Sequence, residues 1–161
     1  MSDRSEAVLV TLAFVRAGEH VLLIRVSPDK DKFAGLWNGL GGHVRPGEDI
    51  REAARREIRE ETGLEPHELR LRGVVHESGL LGRSHVLFLF TARAHKGEVS
   101  TTRQVTHEGE LAWFRPNEIP WDRVVPDLRA LLPRLLKGDE ILFAVQEFDG
   151  TDRPVRLCVS S

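Results

Sequence analysis

Residues 42–64 read Gly42-His43-Val44-Arg45-Pro46-Gly47-Glu48-Asp49-Ile50-Arg51-Glu52-Ala53-Ala54-Arg55-Arg56-Glu57-Ile58-Arg59-Glu60-Glu61-Thr62-Gly63-Leu64. Both ends of a helix are marked in this stretch. Asp49 is a suitable N-cap with Glu52 three residues on, an acidic version of the capping box, and Gly63 supplies the C′ stop, so a helix is predicted over Ile50 to Thr62. Ile50, Ala53, Ala54 and Ile58 fall at i, i+3, i+4 and i+8. They form a narrow apolar stripe whose small residues suit close packing on a sheet, and the other faces are almost all Arg and Glu.

Glu57, Glu60 and Glu61 stand at i, i+3 and i+4, so their carboxylates share one helix face about one turn apart. Acids this close repel one another, which is useful only around a hard cation. Mg²⁺ takes oxygen ligands and keeps several waters for substrate phosphates. A bare E-x-x-E-E is explained equally well by a solvated face on which Arg51, Arg55, Arg56 and Arg59 neutralise the glutamates through i,i+4 pairs worth about 0.2 to 0.5 kcal/mol each. The whole run decides between the two. Gly42, Glu48, Arg56-Glu57, aliphatic Ile58, Glu60-Glu61, Gly63 and aliphatic Leu64 match the Nudix box at all nine specified positions, against a chance on the order of 10⁻⁹ per start at average residue usage. The context agrees, since Pro46-Gly47 makes a loop that runs into a capped helix. The chain thus resembles the MutT/Nudix hydrolases.

Outward from the box, β-formers mark Ala7–Val15 and His20–Val26 as an opening hairpin turned at Arg16-Ala17-Gly18-Glu19. Ser27–Gly35 is polar and reads as a surface loop into Gly-rich Leu36–Gly42. Further strands are expected at Leu69–Val75, His85–His95 and Glu110–Phe114, then a helix near Pro126–Leu136. A closing hairpin, Glu140–Phe148 and Val155–Val159, turns around Asp149-Gly150. The resemblance implies an α/β (α+β) Nudix fold, a mixed β-sheet sandwiched between helices, and the size suits a single domain over residues 1–161.

With 23 Lys and Arg against 25 Asp and Glu, the net charge of −2 gives no field for gripping a long polyanion and argues against a general nucleic-acid binder. The single Cys158 excludes an intrachain disulfide framework and points to a reducing cytoplasm. Neither a leader nor a membrane-spanning apolar run is recognisable. A monomer and a homodimer are both compatible with these features.

Residue roles follow from the resemblance. Glu57, Glu60 and Glu61 are expected metal ligands, joined by the Gly41 carbonyl and by a distant acid, Glu108, for Mg²⁺ or alternatively Mn²⁺. Glu48 and Arg56 are expected to brace the cluster. Arg25 and Arg83 are candidates for holding phosphate. Leu36-Trp37-Asn38-Gly39-Leu40-Gly41-Gly42 resembles the W-N-G-x-G-G segment of 8-oxo-dGTP diphosphatases, in which Asn reads a purine; an amide offers donor and acceptor together. Asp127, in Val125-Pro126-Asp127, matches an acid that contacts the base, whereas Val125 and Leu128 replace a Trp and a second Asp of that pattern. Trp37, Trp113 and Trp121 are candidates for stacking as well as for core packing. The expected reaction is hydrolysis of a nucleoside triphosphate to monophosphate and pyrophosphate. A dinucleotide, nucleotide-sugar or pterin triphosphate pyrophosphatase and a catalytically silent nucleotide sensor are the alternatives.

Overall fold

The computed structural model describes residues 4–95, 98 and 104–161. The first residues of the segment read for a leader therefore lie outside the described residues. Strand β1 (Val8–Ala17) turns into β2 (His20–Val26), followed by short β3 (Trp37–Asn38) and β4 (Leu40–His43) and helix α1 (Ile50–Thr62). Then come β5 (His67–Ser78), β6 (Ser84–Arg93), β7 (Gln104–Val105), β8 (Gly109–Phe114), helix α2 (Leu128–Lys137), β9 (Leu142–Phe148) and β10 (Pro154–Ser160). The helix bounds agree with the caps: the Asp49 side chain accepts from the Glu52 N–H, and Gly63 adopts φ 74°.

The strands form a mixed sheet in the order β10-β9-β5-β6-β1-β2-β8-β7, with β3 paired to β2 and β4 paired to β1. The opening hairpin exists only at its turn, where Arg16 faces Val21 and Ala17 faces His20. Beyond that point the two strands part. One edge of β1 takes β4 through Val10–His43 to Ala13–Leu40, and β2 takes β3 through Ile24–Asn38 and Arg25–Trp37. The Gly-rich segment, read as loop from its composition, thus becomes two short strands inserted in a fork of the sheet.

Both faces of the central strands are covered, as their unbroken apolar runs require. Leu12, Phe14, Val21 and Leu23 pack with Leu128, Leu131, Leu132 and Leu135 of α2. Ala13, Val15, Leu22 and Ile24 pack on the opposite face with Ala54 and Ile58 of α1. Alternate residues of one strand therefore serve opposite helices. Helix α2 is tied to the sheet by Arg72 of β5, whose Nη1 and Nε donate to the Leu135 and Glu140 carbonyls at 3.0 and 3.1 Å.

Ile58 is fully buried and seats the acidic helix on the sheet. Ile58→Ala is expected to cost about 2 to 5 kcal/mol, to be checked as a lower urea midpoint with an unchanged slope.

Candidate active site

The loop before α1 aims Glu48. The Glu48 N–H donates to the Arg45 carbonyl at 3.0 Å, and the Arg45 N–H donates to Glu48 Oε1 at 3.1 Å. Arg56 then meets this carboxylate with two parallel bonds, Nε to Oε2 at 2.7 Å and Nη2 to Oε1 at 2.9 Å. Its Nη1 reaches Glu57 Oε1 at 2.8 Å and Glu60 Oε2 at 3.3 Å, and Nη2 also donates to the His43 carbonyl at 3.2 Å. The Arg56 bonds, aided by the Arg45 N–H, hold the Glu48 carboxyl down at about 2. Glu48 in turn holds the guanidinium above its ordinary range.

Among the described residues Glu61 makes no such salt bridge, although the charge of Lys30 acts on it. Its Oε2 is buried without a hydrogen-bond partner among the described residues. Burial first, then the charges of Glu57 and Glu108, push its carboxyl up to about 8, against a backbone hydrogen bond from Gly41. The glycines beside it make this crowding sterically feasible. A Cβ on Gly41 would overlap the Thr11 carbonyl across the β1–β4 pair, and a Cβ on Gly42 would lie 2.6 Å from Glu57 Oε1. Among the described residues no three carboxylate, thiol or imidazole groups already close around one point. The donor set nevertheless fits a hard divalent cation: oxygen ligands only, a buried orphan oxygen, and more negative charge than Arg56 neutralises.

Glu61, Gly41 and Gly42 of this group line a cavity of about 270 Å³ whose lining also includes Glu108, Asn38, Val125 and Asp127. Glu108 Oε2 lies 3.1 Å from Lys30 Nζ, and its Oε1 lies 3.2 Å from His107 Nε2. Asn38 faces Ile24 across β2–β3, and its Oδ1 accepts the Gly39 N–H at 2.8 Å, so half of the amide serves the turn. Asp127 occupies the N-cap position of α2 without making a side-chain cap bond. Only 3% exposed, its carboxyl is pushed by burial up to about 6 against backbone hydrogen bonds at Leu128 and Asp127, and Oδ1 has no partner among the described residues.

Other expected residues do not reach the cavity. Arg25 Nη2 donates to Glu110 Oε2 at 2.8 Å and is not part of the lining, and neither is Arg83. The cations that line it are Lys30 and Lys32, from the segment read as a surface loop. None of the three tryptophans lines it either. Trp37 is buried in the core, edge-on to Phe114 at 4.9 Å. The aromatic ring present is Phe33. A second acid beside Asp127 also escaped notice: Glu77, 1% exposed, on interior strand β5. Its only signal in the sequence is an acid where strand alternation from Val75 calls for an apolar residue.

A NUDIX domain model matches residues 5–135. The chain belongs to the Nudix family. Similar proteins include the oxidized purine nucleoside triphosphate hydrolase of Danio rerio, 33% identical over 127 residues that cover 74% of each chain. That of Mus musculus is 33% identical over 138 residues covering 80% of each. The 8-oxo-dGDP phosphatase NUDT18 of Homo sapiens is 34% identical over 113 residues, 70% of this chain and 33% of that protein. Among solved structures, a MutT protein from Bacillus halodurans superposes with a TM-score of 0.78 at 24% identity, covering 95% of this chain and 97% of that one; this likeness concerns the fold. This Nudix protein is a hydrolase, with its box on α1 and its sheet held between two helices.

Burial, then the charge of Asp127, pushes Glu77 up from 4.5 to about 7, with Lys32 pulling the other way. His85, the remaining titratable group beside it, is lowered by burial. A carboxyl whose folded pKa is raised favours folding while protonated, so its contribution is present below about 4.5 and lost as pH rises through about 7. Glu77→Gln removes that loss. Unfolding free energies of variant and parent, measured by urea titration, should diverge in the variant's favour across this window and run parallel above it, by about 1 to 3 kcal/mol in all.

Proposed function

We propose that this Nudix hydrolase cleaves the phosphoanhydride of a purine nucleoside triphosphate in the presence of Mg²⁺, for which Mn²⁺ substitutes, yielding a monophosphate and pyrophosphate. Oxidised purines such as 8-oxo-dGTP fall within this range. One observation carries the reading: Glu61 of the box, whose buried Oε2 has no hydrogen-bond partner among the described residues, lines the same cavity as Gly41, Glu108, Asn38 and Asp127. The names of the fish and mouse relatives support the same substrate class. We also read the chain as one Nudix unit, because β9 and β10, beyond the family match, extend the same sheet by parallel pairing on β5. The exposed free Cys158 suits a reducing, cytoplasmic setting.

In this mechanism Glu57, Glu60 and Glu61, with the Gly41 carbonyl and Glu108, hold the divalent cation. When bound, the cation neutralises developing charge on the phosphoryl oxygens and lowers the pKa of a coordinated water. Glu48 and Arg56 position the cluster, and a glutamate of the cluster takes the proton from the attacking water. Lys30 and Lys32 meet phosphate oxygens as point charges. Asn38 and Asp127 contact the base, and Phe33 offers it an apolar face.

The name of NUDT18 favours a second reading, in which a nucleoside diphosphate is the substrate and inorganic phosphate the product. A panel of nucleoside di- and triphosphates, dinucleotides and nucleotide sugars, with pyrophosphate and phosphate detected separately, distinguishes the readings. Release of pyrophosphate from purine triphosphates is the expected result. Its absence across the panel would end the proposal.

Glu60→Gln and Glu61→Gln are each expected to lower turnover by at least about a hundredfold, because an amide cannot replace an anionic ligand. Both should fold. Near-parental rates at low Mg²⁺ in either variant would show the cation to lie elsewhere.

Asn38→Ala is expected to cost about 1 to 3 kcal/mol in kcat/KM, roughly 5- to 150-fold, for purine triphosphates and much less for dCTP. An equal loss on dGTP, 8-oxo-dGTP, dATP and dCTP would reduce Asn38 to a residue that shapes the turn with Gly39.

A further inference from the structure

Glu77 sits where an interior strand should carry an apolar side chain. Strand β5 lies between β6 and β9, and Glu77 faces His85 on one and Gln146 on the other. Val75, two residues before it, is fully buried, and Glu77 follows the same alternation at 1% exposure. Burying a carboxylate without a hydrogen-bond partner is strongly unfavourable, and the described residues give this one only distant charges. Its Oε1 has no hydrogen bond among the described residues. Lys32 Nζ stands 4.0 Å away and His85 Nδ1 3.8 Å away, both beyond hydrogen-bond reach. Lys32 is one-third exposed and remains within reach of water. His85 Nδ1 and Asp127 Oδ1 are buried without partners as well, and Glu77 and Asp127 line the same cavity.

We infer that Glu77 is a specificity-determining residue of this cavity: with Asp127 it presents two buried carboxyl groups, each with an oxygen free of hydrogen bonds to the described residues, that select a purine carrying adjacent N–H donors on its edge. This rests on the reading of the cavity as the base site. A carboxylate accepts hydrogen bonds, and a protonated carboxyl keeps one acceptor oxygen while offering one donor, so a pair of acids suits an edge with a lactam N–H next to an exocyclic amine, as in guanine. An unsubstituted purine, with ring acceptors only, leaves the acceptor oxygens of the pair unsatisfied. Leaving buried polar groups unpaired is the strong form of discrimination. The pattern with Asp in place of Leu128 carries its second acid on α2. In this chain Leu128 is 1% exposed within the core, and the second acid comes instead from the sheet.

The test compares dGTP with purine 2′-deoxyriboside triphosphate, which has the same ring system and no edge donor, on the parent protein, Glu77→Leu and Glu77→Gln. The parent should favour dGTP by about tenfold or more in kcat/KM. That ratio should fall by about tenfold in Glu77→Leu, through KM with kcat largely kept, and by less in Glu77→Gln, which retains one acceptor oxygen. Should the leucine variant not fold, the glutamine variant carries the comparison. Calorimetric titration with the two corresponding monophosphates reads the same preference without turnover. Absence of hydrolysis with an intact preference in binding would count against the proposed reaction and leave Glu77 in its role. A parent protein without preference, a ratio unchanged in both variants, or the same fall in Lys32→Met, which leaves the acid and removes only its neighbouring cation, would overturn the inference.

Discussion

Three carboxylates converge on one guanidinium while a fourth has no salt bridge among the described residues. Arg56 holds Glu48, Glu57 and Glu60, and Glu61, on the same face of α1, has only a backbone hydrogen bond from Gly41 against burial and the charges of its neighbours. This imbalance of charge is the constraint to which the surrounding structure answers. It demands a stiff helix capped at both ends, a seat for that helix made of alanines so that it lies close to the sheet, and backbone without side chains beside the acids. Gly41 and Gly42 supply the last of these, because β-carbons there would collide with the Thr11 carbonyl and with Glu57.

The same glycines explain why the sheet forks. Strands β1 and β2 pair over two residue pairs at the turn and then part, so that β4 can lie on β1 and β3 on β2. The inserted segment carries Asn38 and Gly41 within four residues of one another, and both line the cavity. The spacing of Asn38 from Gly41, which the proposed reading assigns to base and cation, thus depends on a strand insertion and not on a loop, and strands hold geometry more precisely than loops do.

What was legible in the sequence follows this division. Helix α1 was readable to the residue because its caps and its apolar stripe are local signals, and the box acids came with it. The two-residue strands β3 and β7 were not, since their pairing is decided by strands far away in the chain and not by their own composition. The polar segment 27–35 read correctly as a connection, but its polarity concealed Lys30, Lys32 and Phe33 as cavity residues, which only the folding of that segment over the sheet fork brings in. Arg25 was read without its cross-strand neighbour: the strand register sets it opposite Glu110, with which it pairs.

Glu77 is the instructive miss. A single acid in a strand reads as a solvent-facing residue unless the strand is known to be interior, and β5 is interior only because β9 adds in parallel beside it, a connection that spans much of the chain. Once that is known, the acid cannot be a surface residue, and its lack of a partner becomes the informative fact. Of the box acids Glu61 lines the same cavity as Glu77 and Asp127, which come from other elements. In the reading proposed above, chemistry at phosphate belongs to the capped helix α1, and reading of the base belongs to single positions on β3, β5 and the start of α2, so that the two tasks rest on separate parts of the fold.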